Sequence, residues 1–149
     1  MQKSNSYCLP LLTASDHAGF KLKQQLKLKK KQILWRDLGC FSEQRTDYPD
    51  WADKLCKNLQ NNMKGLLICG TGQGMAIKAN RYPHIRAALC WNPEIARFAI
   101  NHNQANVLCL PGRFLNIEKA LLILDVFLTA EFNKESVYQR RIKKLHQPV

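Results

Sequence analysis

At 149 residues the chain can close one hydrophobic core without disulfides or metal, so a single domain over residues 1–149 is expected. A hydrophobic share of 46% with 23% charged residues excludes a disordered chain, and no apolar run approaches the ~18 residues of a membrane span. The net charge of +12 favours anionic ligands, but zinc-finger spacing, RNP-like aromatic strands and bases interleaved with aromatics are all missing, so nucleic acid and membrane are not the expected partners.

The opening "MQKSNSYCLPLLTASD" lacks the layout of a signal peptide, which predicts a cytoplasmic protein. The first strand is expected over residues 8–14, interrupted early by Pro10 and stopped by the turn cluster "SDHAG". A helix should follow from Gly19 or Phe20, with Phe20, Leu22 and Leu26 as an imperfect apolar stripe and Lys27 to Lys31 as a solvated face. Residues 32–39, "QILWRDLG", read as a second strand, and "CFSEQRTDYPDW" as a loop. Trp51, Leu55, Leu59 and Met63 recur every fourth residue and predict a helix.

"GLLIC" is the third strand, "GTGQGMAIKANRY" a glycine loop entering a helix, and "IRAALCW" the fourth strand. An Asn-Pro entry signal starts a helix that runs to about Asn101, and "ANVLCL" is the fifth strand. "NIEKALLILDVFLTAEF" is an apolar helix and "ESVYQRRIKKLH" a basic amphipathic one. This alternation predicts a three-layer α/β/α fold, a mainly parallel five-stranded Rossmann-like sheet with helices on both faces.

Such sheets bind ligands at the carboxyl ends of their strands. Strand one ends at Asp16 and His17, strand three at Cys69, and the helix after strand four at His102 and Asn103, so the three regions are expected to converge. Gly70, Gly72 and Gly74 leave backbone N–H groups free to meet an anion at a helix start. No Gly-Lys-Ser/Thr follows, and Met75 stands where a dinucleotide fingerprint needs glycine and a cysteine phosphatase needs arginine. What remains is a thiol beside a bed of N–H groups, a setting that favours the thiolate as base or nucleophile. The rival reading is a small buried hydrophobe, as expected for several of the six cysteines. Cys8, Cys40, Cys56, Cys69, Cys90 and Cys109 show no C-x-x-C pair and no metal-ligand spacing, so they are read as reduced thiols.

Four segments, "SDHAGFKLK", "RTDYPDWA", "ICGTGQGMAIKAN" and "NHNQANVLCLPGR", stand in the order of a known family. Together they resemble the ribose-5-phosphate isomerase B and galactose-6-phosphate isomerase family across almost the whole chain. The resemblance implies aldose–ketose isomerisation of a phosphorylated sugar through a cis-enediolate, without cofactor. It makes Cys69 the base that moves a proton between C1 and C2, and the N–H groups of Gly70, Thr71, Gly72, Gln73 and Gly74 the stabilisers of the enediolate oxygens. Members without the cysteine use a glutamate at the position of Met75, so this chain is of the cysteine type. His102 matches the acid and base that opens the furanose ring, a task for which an imidazole suits proton traffic in both directions. Asp16, His17, Asn103 and Arg113 match sugar or phosphate contacts, and Tyr48 lines the pocket.

The resemblance also implies a homodimer with sites shared between subunits, leaving tetramers open, and a C-terminal helix that reaches its neighbour's site. Of the family's two phosphate-clamping arginines in that helix, the second matches Arg141 and the first falls on Val137. Arg140, on a neighbouring part of the helix face, is the expected substitute. The alternatives to a ribose 5-phosphate isomerase are an allose or galactose 6-phosphate isomerase, and an idle sugar-phosphate binder.

Overall fold

A computed structural model describes residues 9–148; Cys8, the expected start of the first strand, lies outside the described residues. The strands are β1 (Leu11–Ser15), β2 (Trp35–Asp37), β3 (Gly65–Cys69), β4 (Ala87–Leu89) and β5 (Val107–Pro111). All pair in parallel in the order β2-β1-β3-β5-β4, as the alternating sequence requires. The three central strands are buried along their whole length, which explains why "GLLIC" and "VLCLP" are apolar without alternation.

The pleat divides each central strand between two cores. Leu11, Leu66, Ile68, Leu108 and Leu110 face α1 (His17–Lys29), α4 (Pro93–Asn103) and α5 (Ile117–Thr129), meeting Leu22, Leu26, Ile100, Ile123 and Phe127. Leu12, Ala14, Leu67, Cys69, Val107 and Cys109 face α2 (Tyr48–Asn58) and α3 (Gln73–Ala79), where Leu55, Cys56 and Met75 pack. Each fully buried leucine or isoleucine contributes about 1.5–3 kcal/mol of transfer free energy. The last helix, α6 (Ser136–Leu145), lies against α4 and buries only Ile142.

Several expected boundaries shift for local reasons. The helix after β1 begins at His17, because the Asp16 carboxylate caps it by accepting the Gly19 N–H at 3.0 Å. The "TDYP" segment, expected as loop, opens α2 at Tyr48 with Pro49 in the first turn. Leu59 and Met63 keep the four-residue spacing and are buried, yet follow the end of α2. Both edge strands shrink to three residues, β5 starts at Val107 and reaches Pro111, and α4 continues to Asn103.

The lysine run is not a purely solvated face. Lys30 pairs with Asp125 of α5 at 2.6 Å, and Lys27 with Asp37 of β2 at 2.6 Å. Lys23, fully buried, donates to the other Asp37 oxygen at 2.6 Å and to the Cys40 carbonyl at 2.7 Å. Burial raises the Asp37 carboxyl, but donation from Lys23, Lys27 and the Gly39 N–H overcomes it and leaves the pKa below 3.8.

Asp37→Asn is expected to cost about 3 kcal/mol, since two ammonium groups, one fully buried, lose their counter-ion. As pH falls the unfolded chain takes up the Asp37 proton first, so this stability is complete above 3.8 and lost as pH drops through the lowered folded value. Urea unfolding from neutral to acid pH checks both: the acid loss of stability should be flatter in Asp37→Asn.

Candidate active site

The strand order reverses direction between β1 and β3. The chain leaves β1 toward β2 on one side and leaves β3 toward β4 on the other, so a crevice opens where their carboxyl ends meet. Ser15 is level with Ile68, so Asp16 and His17 emerge beside Cys69. Asp16 is nearly buried, with one carboxylate oxygen held in the helix cap. His17 Nδ1 accepts the Thr46 N–H at 3.3 Å, which leaves the neutral ring's proton on Nε2 as a free donor.

Cys69 ends β3 with its side chain on the α2/α3 side and 4% exposed. Its sulfur accepts the Gly72 N–H at 3.1 Å. Gly72 has φ +73, and a Cβ there would lie 2.5 Å from Leu89 Cδ1. Gly74 faces the ring of Tyr48, where a Cβ would come within 2.6 Å. In α3, Ala76 is the first N–H to bond back, to the Gly72 carbonyl at 3.1 Å, so earlier N–H groups have no partner within the helix.

The turn after β5 closes the crevice from the other side. Gly112 donates to the Cys69 carbonyl at 2.8 Å and Arg113 to that of Gly70 at 3.0 Å, which brings the Arg113 guanidinium over Gly70. Thr71 and Gln73 line an adjoining cleft of about 310 Å³ walled by Trp91, Pro111 and Phe114. Ten sequence-selected residues are thus neighbours: Asp16, His17, Tyr48, Cys69, Gly70, Thr71, Gly72, Gln73, Gly74 and Arg113.

The other four are elsewhere, and the expected convergence fails within one chain. α4 runs back from the carboxyl end of β4, and its last turn sits where β5 begins: Arg86 Nε, just before β4, donates to the Gln104 carbonyl at 2.7 Å, and Asn106 N–H to the Arg86 carbonyl at 3.0 Å. His102 and Asn103 therefore lie at the amino edge of the sheet, a strand length of about 13 Å below Cys69. Arg140 and Arg141, both exposed, share that end of the molecule through α6.

The His102 ring lies between two aromatics. Tyr138 of α6 stacks on it at 4.7 Å and 10°, and Phe98, one turn earlier in α4, lies 4.8 Å away. Among the described residues neither ring nitrogen has a hydrogen-bond partner, so both edges are open. The Arg141 guanidinium is 5.9 Å from the Tyr138 ring. The sequence reading missed Thr46 and Tyr138. The Phe98–His102 pair is visible as an i, i+4 spacing, whereas Tyr138 and Thr46 reach their histidines from other elements.

Cys56, Cys90 and Cys109 are buried within the two cores. Burial pushes the Cys56 and Cys90 thiols up to about 12, with nearby Asp53 adding to the effect at Cys56, and raises Cys109 well above its usual value. All five described cysteines are free, and no cluster of three metal-ligating side chains exists among the described residues.

The sequence profile of the family described as Ribose/Galactose Isomerase matches residues 11–145. The chain belongs to that family. It is 35% identical over 134 residues to ribose-5-phosphate isomerase B of Escherichia coli, covering 87% of this chain and 89% of that one. The crystal structure of a ribose 5-phosphate isomerase from Thermotoga maritima superposes with a TM-score of 0.88 at 46% identity, covering 93% of this chain and 97% of the other. Ribose-5-phosphate isomerase B from Mycoplasma genitalium, solved with bound ribulose-5-phosphate, gives 0.82 at 40% identity over 92% and 93% of the two chains. The glycine loop depends on its left-handed turn at Gly72. Gly72→Ala is expected to cost about 1–2 kcal/mol from the backbone alone, with a further cost from displacing Leu89, read as a lower urea midpoint.

Proposed function

We infer that the protein is an aldose–ketose isomerase interconverting ribose 5-phosphate and ribulose 5-phosphate. The observation that carries this reading is the Cys69 thiol at the mouth of the crevice, its sulfur against the Gly72 N–H, in a chain whose relatives bear the name ribose-5-phosphate isomerase B. The relative solved with ribulose-5-phosphate supports the pentose over the hexose substrate.

In the open-chain aldose the Cys69 thiolate takes the proton from C2. The electron pair forms the C1–C2 double bond, and charge passes to O1. N–H groups of the loop from Gly70 to Gly74 stabilise that oxygen, a donor set fixed before charge develops. Cys69 returns the proton to C1 while the O2 proton passes to O1, giving the ketose. Hydrogen and charge balance within the substrate, so no external oxidant or reductant enters. Asp16, the Nε2–H of His17 and Tyr48 hold the sugar, and the uncompensated Arg113 suits its phosphate.

His102 opens the furanose ring, and its distance from Cys69 supports a site completed by a second copy of this chain. In a two-fold dimer the end of α4 and α6 from one subunit covers the crevice of the other, bringing His102, Asn103, Arg140 and Arg141 to Cys69. The Tyr138 stack fixes the plane of the imidazole and leaves its nitrogens free. No described helix is long and apolar enough to cross a membrane. The free thiols support a reducing cytoplasm, where the reaction belongs to pentose phosphate metabolism.

Cys69→Ala should lower kcat about a thousandfold, the scale that general-base catalysis supplies. A sharper test mixes inactive Cys69→Ala and His102→Ala subunits and lets them reassociate. Half the dimers are then mixed, each with one intact site, so activity should return to about a quarter of wild type. No recovery, with mixed dimers demonstrated, would mean the site is not shared. Arg140→Ala should raise KM for ribose 5-phosphate about tenfold, as loss of a charge-assisted phosphate contact does; an unchanged KM would remove Arg140 as the substitute for the arginine missing at Val137.

A further inference from the structure

The amino edge of the sheet, opposite Cys69, carries a second concavity. Lys64, Arg86 and Asn106, which lead into β3, β4 and β5, and His146 after α6 wall a cleft of about 800 Å³. That volume lies within the range of small-molecule sites. Its charge is one-sided: Lys64, His84, Arg86 and His146 line it together with several side-chain amides, and among the described residues no carboxylate does.

The two strong cations are only partly accounted for by the fold. Lys64 Nζ donates to the Phe127 carbonyl at 2.8 Å in the last turn of α5, and Arg86 Nε to the Gln104 carbonyl at the end of α4. Such contacts suit the negative ends of helix dipoles. Yet Lys64 keeps a hydrogen and Arg86 keeps Nη2, and among the described residues no carboxylate pairs with either. Burial lowers Lys64 to about 8 and also lowers Arg86, the expected cost of a cation half out of water without a counter-ion.

The histidines add adaptable donors. Arg86 Nη1 lies 3.0 Å from His146 Nε2, and since a guanidinium only donates, that nitrogen accepts and the neutral ring carries its proton on Nδ1. His84 Nε2 donates to the Cys56 carbonyl at 2.9 Å, which leaves Nδ1 open.

We propose that this cleft is a second ligand site, distinct from the isomerase crevice, that binds a small phosphorylated metabolite: Arg86 and Lys64 meet the phosphate, and amides such as Asn61 and Gln104 meet its hydroxyl groups. The proposal does not rest on the isomerase reading, because the two sites share no residue. The chain has four histidines, and they divide evenly between the sites, His17 and His102 against His84 and His146.

A histidine-resolved NMR titration of the full chain with inorganic phosphate therefore reads both sites at once. The His84 and His146 signals should shift saturably, Lys64→Met or Arg86→Gln should weaken that response about tenfold or more, and Lys64→Met should leave the His17 and His102 response unchanged. Because Arg86 also braces the end of α4, circular dichroism checks both variants, and His146→Gln gives a third test read at His84. The proposal is overturned if His84 and His146 stay still, or shift without saturation and equally with sodium chloride. Failure of the isomerase reading would show separately, as still signals at His17 and His102.

Discussion

The parallel pairing of β1 with β3 is the constraint on which the rest depends. Its register sets Ser15 against Ile68, so the two chain segments that carry Asp16, His17 and Cys69 leave the sheet at one height. Because the chain departs from these strands in opposite directions, neither loop covers the other and the crevice stays open. The same parallelism sends every following helix back toward the amino edge. A residue at the end of such a helix is barred from the crevice of its own subunit, which is the position of His102.

Much of this was legible in the chain. "GLLIC" and "ANVLCL" read as strands, and the structure buries β3 and β5 along their whole length; turn clusters placed the chemistry at strand ends. The edge strands were overestimated, since pairing to one neighbour ends sooner than the apolar pattern does. The direction of α4 was available from topology alone, and it keeps the expected convergence of His102 with Cys69 from occurring within one chain. Lys23 was beyond reach: in a lysine-rich helix nothing local distinguishes the one ammonium group that is fully buried, and only Asp37 and Cys40, from another part of the fold, explain it. Tyr138 was hidden for the same reason, because its contact with His102 joins two helices separated by a strand and a further helix.

The basic excess resolves into different tasks. Lys23 and Lys27 fasten α1 to β2 through one carboxylate, and Lys30 fastens α1 to α5. Lys64 and Arg86 stand at helix ends where backbone carbonyls collect. The cations of α6 are exposed, and the helix buries only Ile142 against the rest of the chain.

The hydrogen bond from Gly72 to the Cys69 sulfur gives the glycine turn an acceptor from within the chain. A polarisable sulfur accepts that N–H, so the turn is folded around an electron-rich atom of its own chain. In the proposed mechanism catalysis begins with an exchange of partners at that N–H, with no loop to rebuild. An oxygen or carbon in place of that sulfur would alter the shape of the turn as well as the base proposed for the reaction.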